Sequence, residues 1–178
     1  ISGFSRTVEY SNPSLTPGVS DNRDYVISFN NKKLGLLSLS IFTKEIEGLI
    51  YSGGFRYITE GTADSVYGLP DYADKYQIIE YKTNNPYPID LSGFEIDYQT
   101  RFWYLPGMLK GLVFNANYTK TTSEVKYPRT TIGYDFSQGF PLTYINTDSF
   151  YVDRLIDQPN DIINLSLGYD YKGFSGRI

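Results

Sequence analysis

Apolar and polar residues alternate with a period of two in several separate segments of this chain. In "LPGMLKGLVFNANYTKTTSEV", residues 105–125, Leu112, Phe114, Ala116 and Tyr118 share one parity, and Val113, Asn115, Asn117, Thr119 and Thr121 the other. Successive side chains of a strand point to opposite faces, so the segment predicts a strand with one apolar and one largely amide and hydroxyl face. In "GFEIDYQTRFWYLPG", Phe94, Ile96, Tyr98, Thr100, Phe102 and Tyr104 oppose Glu95, Asp97, Gln99, Arg101 and Trp103. In "RDYVISFNN", Tyr25, Ile27 and Phe29 oppose Asp24, Val26, Ser28 and Asn30; in "IINLSLGYDY", Ile163, Leu165, Leu167, Tyr169 and Tyr171 oppose Asn164, Ser166, Gly168 and Asp170. In "LLSLSIFTK", Leu37, Leu39 and Ile41 oppose Ser38 and Ser40 before Phe42 breaks the phase, the mark of a bulge. No segment carries the period of an amphipathic helix.

These runs predict strands near 23–30, 34–50, 91–104, 110–123 and 159–171, and short and long connections alternate between them. Asn30-Asn31-Lys32-Lys33, Leu105-Pro106-Gly107-Met108 and Lys172-Gly173 are tight-turn sequences. Two long Tyr/Pro/Asp-rich connections run near 51–90 and 124–158, and connections of that length are usually functional. Within them, "YQIIEYK" (76–82) and "TYINTDSFYV" (143–152) are candidates for extra hairpins. The chain stops at "GFSGRI", where a further strand is expected to begin.

Composition agrees with a β-rich chain. Its 178 residues include 18 Tyr, 11 Phe and 16 Gly, and aromatics suit pleated surfaces while glycine serves turns. A net charge of -4 with no basic run argues against binding a phosphate backbone, so nucleic acid is not an expected partner. The absence of Cys and His removes disulfides, thiolate and imidazole metal sites, and a Ser-His-Asp triad. No run of 18 apolar residues predicts a membrane-spanning helix. With neither an initial Met nor a signal peptide, the sequence reads as either a mature or trimmed form or a fragment of a longer protein, and a fragment is expected.

Alternation alone does not decide which face meets which solvent. A soluble antiparallel β-sandwich writes the same pattern with its apolar face inward, and a binding module of that kind, for a ligand such as a carbohydrate, is the alternative. Three features favour lipid. The polar parity, with Ser38, Ser40, Asn115, Asn117, Asn164 and Ser166, has the character of an aqueous lumen wall. Aromatics of the apolar parity (Phe29, Phe102 with Tyr104, Tyr169 with Tyr171) gather beside the short turns, as at a membrane interface. Short turns at one end and long loops at the other match outer-membrane barrels. Unpaired backbone groups in hydrocarbon cost several kcal/mol each, so a spanning sheet must close. Five strands and a stub fall short of the smallest barrel, of about eight, which implies further strands from elsewhere.

At this point the chain resembles a family: the barrel domain of TonB-dependent outer-membrane receptors. The resemblance lies in "NPSLTPGVSDNRDYVISF", "KKLGLLSLSIFTKEIEGLIY", "SGFEIDYQTRFWYLPGMLKGLVFNANYTKTTSE" and "QPNDIINLSLGYDYKGFSGR", in that order and spacing. In the family, the Asn12-Pro13, Leu15 and Pro17 pattern precedes a strand and Gly93-Phe94-Glu95 opens a downward one. Leu105-Pro106-Gly107 matches a periplasmic turn and Asn117-Tyr118-Thr119 the next upward strand. At Gly18 the family commonly carries a charged residue, and here the chain departs from it. The resemblance implies an all-β antiparallel meander forming part of a large transmembrane β-barrel of about 22 strands, from its C-terminal half. It implies a bacterial outer-membrane location and active uptake of a nutrient such as an iron-siderophore complex. The implied partners are outer-membrane lipid, a plug domain and remaining barrel strands, TonB through the parent protein, and a nutrient ligand whose identity the sequence leaves open.

No catalytic constellation and no cofactor or metal site is expected, an enzyme is not, and ligand contacts remain unassigned. Glu95 and Asp97 lie about 6.8 Å apart by strand rise, a spacing used by inverting glycosidases, but lumen polarity is the simpler reading. Asp148, Asp153, Asp157 and Asp161 match no calcium-loop spacing and read as solvated loop acids. "NYT" and "NLS" fit a glycosylation pattern but fall within strands. Tyr87, Tyr134, Tyr144, Phe150 and Tyr151 in the long loops are candidates for stacking on a ligand ring or for packing the loops.

Overall fold

A computed structural model of the chain describes residues 7–74, 77–79, 82–137, 139–140 and 143–178. Strand makes up 61% of it and helix 8%, so the fold is all-β. The strands are β1 (Thr7–Glu9), β2 (Val19–Asn31), β3 (Gly35–Glu47), β4 (Ile50–Ser52), β5 (Arg56–Tyr57), β6 (Gln77–Ile79), β7 (Lys82–Asn84), β8 (Ile89–Arg101), β9 (Leu112–Asp135), β10 (Thr143–Asp153), β11 (Asp161–Tyr171) and β12 (Phe174–Arg177). One short helix, α1 (Ala63–Tyr67), is closed by Gly68 in the left-handed conformation.

The chain forms two compact units. The first, here the hairpin unit, comprises Ile1–Val19, Ile46–Pro88 and Val125–Asp153; the second, the sheet unit, comprises Ser20–Glu45, Ile89–Glu124 and Arg154–Ile178.

In the sheet unit, strands run in the order β12-β11-β9-β8-β3-β2. The pairs β8–β9, β9–β11 and β11–β12 are antiparallel. Trp103 donates to the Lys32 carbonyl and Phe42 lies over Gly93, which sets β3 against β8 in antiparallel order as well. Register aligns the like faces of neighbouring strands. Tyr98 pairs with Ala116, which pairs with Leu165; Thr100 pairs with Phe114, which pairs with Leu167. On the other face Asp97 pairs with Asn117, which pairs with Asn164. A slip of one residue would have turned every apolar residue of a strand to the polar side. The apolar parities of five strands therefore make one continuous face.

On β2, β3 and β11 that face is exposed, while on β8 and β9 Phe94, Tyr98, Leu112, Phe114, Ala116 and Tyr118 are half-buried and Thr100 is buried. Tyr25, Ile27, Ile163 and Leu165 are 69%, 70%, 66% and 68% exposed, and none of Phe94, Leu112, Phe114 and Leu165 is buried. Along β3 the half-buried parity carries Leu36, Ser38, Ser40, Phe42, Lys44 and Ile46, while Leu37, Leu39 and Ile41 on the other parity are exposed. A sheet packed through the Leu37, Leu39 and Ile41 face would bury those residues instead.

The hairpin unit holds most of the buried apolar residues. Ile58, Ala63 and Ala73 form a small cluster, with Tyr10, Tyr67 and Leu69 packed against it. Tyr51, Val125 and Tyr127 are also buried. The segment Asn12–Pro17 is tied to β7 by side-chain amides. Asn84 Nδ2 donates to the carbonyls of Thr16 (2.8 Å) and Gly48 (2.7 Å), and its Oδ1 accepts from the Thr16 N–H (2.9 Å). Asn12 Nδ2 donates to the Lys82 carbonyl. At Gly18 a Cβ would stand 3.0 Å from the Glu47 carbonyl oxygen, so a larger side chain is crowded against backbone where the resembled family carries one.

Several expected boundaries differ from those observed. The strand expected over 91–104 ends at Arg101: the Phe102 N–H still meets the Leu112 carbonyl in register, but the Phe102 carbonyl accepts from the Leu105 N–H and the chain turns into a loop containing the 3-10 turn Gly107–Gly111. The strand expected over 34–50 ends at Glu47, and Ile50–Ser52 forms the separate β4. The largest difference is in the expected loop 124–158. β9 continues through it to Asp135 and pairs along its whole distal half with β10, so "TYINTDSFYV" does form a hairpin strand. Pro128 is tolerated there because beyond Glu124 β9 has a strand on one side only. In "YQIIEYK", residues 76, 80 and 81 lie outside the described residues; Gln77–Ile79 pairs with β1 and β5, and Lys82 with β4. The bulge expected at Phe42 does not appear: alternation of burial runs on unbroken, and Phe42 takes the polar parity.

Candidate functional site

The centre of the polar face of the sheet unit is built from amides and hydroxyls with the carboxylates of Glu95 and Asp97 among them. Asn117 Nδ2 donates to Glu95 Oε1 (2.5 Å), and Asn117 Oδ1 accepts from Asn164 Nδ2 (3.4 Å) and Thr119 Oγ1 (3.4 Å). Gln99 Nε2 donates to Asp97 Oδ1 (2.9 Å), and the Ser28 and Ser38 hydroxyls meet at 2.9 Å. Glu95 and Asp97 thus each accept from a neutral amide. The asparagines of "NYT" and "NLS" are members of this one network, as cross-strand partners.

A second feature is a concavity in the hairpin unit. Facing residues of β9 and β10 share a side of the hairpin: Tyr134 with Tyr144, Thr130 with Asp148, and Pro128 with Phe150. β5 docks along that side. Asn146 clamps the Tyr57 backbone, donating to its carbonyl (2.7 Å) and accepting from its N–H (2.9 Å). This places Arg56 beside the hairpin, where its guanidinium donates to Asp148 Oδ2 (3.0 Å) and Thr130 Oγ1 (3.3 Å). The Thr130 hydroxyl in turn donates to Asp148 Oδ1 (2.7 Å). The Thr130 hydrogen bond, and then the Arg56 charge, hold the Asp148 carboxyl below its ordinary range.

Around this group opens a cleft of about 450 Å³, walled by Tyr51, Tyr87 and Phe150 with Arg129 and Ser149 at its sides. Tyr87 and Phe150 lie 5.8 Å apart, and Lys126 Nζ stands 5.9 Å from the centre of each ring. Tyr51 is fixed by donating its hydroxyl to the Pro128 carbonyl (3.0 Å). Aromatic walls with a few converging polar groups are the usual make-up of a small-molecule site. The arrangement offers a fixed guanidinium–carboxylate pair beside aromatic surface.

Of the five loop aromatics singled out from the sequence, the structure brings Tyr87 and Phe150 into the cleft. Tyr134 and Tyr144 pair with each other at 5.1 Å, with Tyr57 against Tyr144 at 4.6 Å. Tyr151 stacks on Tyr127 at 5.4 Å and serves packing. Sequence reasoning missed Tyr51, Arg56, Thr130 and Arg129. The one local signal was the parity of Tyr144, Asn146, Asp148 and Phe150 on β10, which marks a common face once that segment is read as a strand. The four loop acids are dispersed. Asp148 joins Arg56, whereas Asp161 lies in the sheet unit, accepting from the Tyr118 hydroxyl (2.6 Å) and pairing with Lys120 (3.7 Å). Among the described residues, no group of three or more acidic side chains converges as a metal site would require.

Comparison with protein-family models, with curated proteins and with solved structures returned no match.

Proposed function

We propose that this chain is a segment of the wall of a TonB-dependent transporter barrel in a bacterial outer membrane, and that it serves the active uptake of a nutrient such as an iron-siderophore complex. The observation that carries this reading is the apolar face of the sheet unit, in register across β8, β9 and β11, exposed on β2, β3 and β11, and backed by a largely amide and hydroxyl face. Soluble monomers rarely expose contiguous apolar patches beyond a few hundred Å². Lipid accepts such a face, and water in a lumen accepts the network of Asn117, Asn164 and Glu95. The edges left by β2 and β12 then pair with further strands of about 22 in the closed barrel. The hairpin unit supplies extracellular loop structure, and its cleft is the proposed ligand contact.

Single cysteines test this, because the chain has none of its own. Bimane placed by Leu39→Cys and Leu165→Cys in the full-length membrane-embedded protein is expected to be quenched by lipid-borne nitroxide. Ser38→Cys and Ser166→Cys are expected to react with a water-soluble maleimide instead. Equal aqueous reactivity on both parities would defeat the reading.

A further inference from the structure

Charge is segregated along this chain in a way that neither its fold nor the proposed transport requires. In the sheet unit the β2–β3 turn, the β8–β9 connection and the β11–β12 turn lie at one end, as antiparallel order dictates. The segments 30–35, 101–111 and 169–178 carry Lys32, Lys33, Arg101, Lys110, Lys172 and Arg177 but a single acid, Asp170. Six of the 16 basic residues thus sit with one of the 20 acidic ones, leaving ten against 19 elsewhere in a chain whose net charge is -4.

Contacts join these three turns into one rim. Trp103 Nε1 donates to the Lys32 carbonyl at 2.7 Å, linking the first to the second. Lys110 Nζ stands 5.4 Å from the centre of the Tyr171 ring, linking the second to the third, and Lys172 Nζ stands 5.5 Å from the same ring. Two ammonium groups on one aromatic ring repel each other unless an anion lies near them. The single acid present is already engaged: Asp170 takes Arg177 through both carboxylate oxygens (2.7 and 2.8 Å) and the Ser175 hydroxyl (2.7 Å). Among the described residues Lys32, Lys33, Lys110 and Lys172 have no ion-pair partner. Exposed Trp103 and Tyr104 stand among them.

From this geometry we infer that the short-turn rim docks on the anionic phospholipid headgroups of the leaflet it faces. The inference rests on the membrane reading proposed above. Aromatic rings suit the headgroup level of a bilayer, and unpaired lysines beside them meet phosphates of opposite charge. Each lysine close to an anionic leaflet is worth about a fivefold preference, and high salt screens it.

The test uses the full-length protein reconstituted in bilayers, with bimane at Met108→Cys in the rim and, separately, at Leu165→Cys on the apolar face. Quenching by brominated phosphatidylglycerol is compared with quenching by brominated phosphatidylcholine. The rim probe is expected to select phosphatidylglycerol severalfold. Lys110→Gln/Lys172→Gln is expected to bring that selection close to parity, while Lys44→Gln/Lys82→Gln leaves it unchanged. Equal quenching by both lipids at the rim, or selection indifferent to the Lys110/Lys172 change, overturns the inference while the quenched Leu165→Cys probe leaves the membrane reading standing. No quenching of either probe by either lipid overturns both.

Discussion

The Arg56 guanidinium and the Asp148 carboxylate meet at 3.0 Å across 92 residues of sequence, and the Thr130 hydroxyl holds the second carboxylate oxygen. Their meeting fastens β5 to the β9–β10 hairpin and sets the charged centre of the cleft. Because Asp148 is more acidic when folded than an ordinary carboxyl, its contribution to stability is fully present above about pH 4 and is lost as pH falls through its folded value. The Asp148 side chain is 61% exposed, so solvent screening keeps the contribution small. Hydrogen exchange at the Tyr57 N–H, measured from pH 6 downward after correction for the intrinsic rate, is expected to lose protection only below about pH 4. In Asp148→Asn that acid-dependent step should be absent. A step that persists in the variant would assign the effect to another group.

Asn84 makes three hydrogen bonds to backbone groups of Thr16 and Gly48. Asn84→Ala strips these partners from two chain segments at once, at about 1–3 kcal/mol. Limited proteolysis is expected to cut between Asn12 and Gly18 much faster than in the parent protein. Unchanged resistance would show that other contacts retain the segment.

Gly93 lies beneath Phe42, whose ring would stand 2.5 Å from an added Cβ, and beneath the Lys120 carbonyl. Gly93→Ala is expected to destabilise by about 1–3 kcal/mol through overpacking, read as a lower denaturant midpoint in detergent. Phe42→Ala should restore part of the loss and no more, since the Lys120 carbonyl is backbone and cannot swing away. Full restoration would place the entire clash on the ring.

Leu165 and Ser166 are neighbours on opposite faces of β11, pairing with Ala116 and Asn115. Under the membrane reading, Leu165→Arg puts a cation into hydrocarbon at about 2–4 kcal/mol near the bilayer midplane, whereas Ser166→Arg reaches lumen water. Heat-modifiable folded protein in the outer-membrane fraction should fall sharply for the first variant and little for the second. The reverse order would turn the sheet inside out.

What the sequence could disclose depended on how local each cause is. Side-chain direction on a strand is set by one residue's own backbone, so alternation in Tyr25–Phe29, Leu37–Ile41, Phe94–Tyr98 and Ile163–Leu167 was sufficient to sort two faces. Turn chemistry is nearly as local: Asn31 Oδ1 accepts from the Lys33 N–H within the turn it helps to make, and Lys172 and Gly173 both take positive φ. Strand ends were less legible. β9 runs past Glu124 through a polar stretch with a proline because β10 offers it a partner, and no property of residues 125–135 announces that partner.

The sequence by itself therefore determined an all-β chain, the two faces of its principal strands and the positions of its turns, since each follows from contacts within a few residues. Tertiary structure alone decided the register that joins Ala116 to Leu165, the seat of Phe42 over Gly93 and the meeting of Arg56 with Asp148. Those depend on which distant segments pair, a choice made by the summed packing of whole faces rather than by any residue alone.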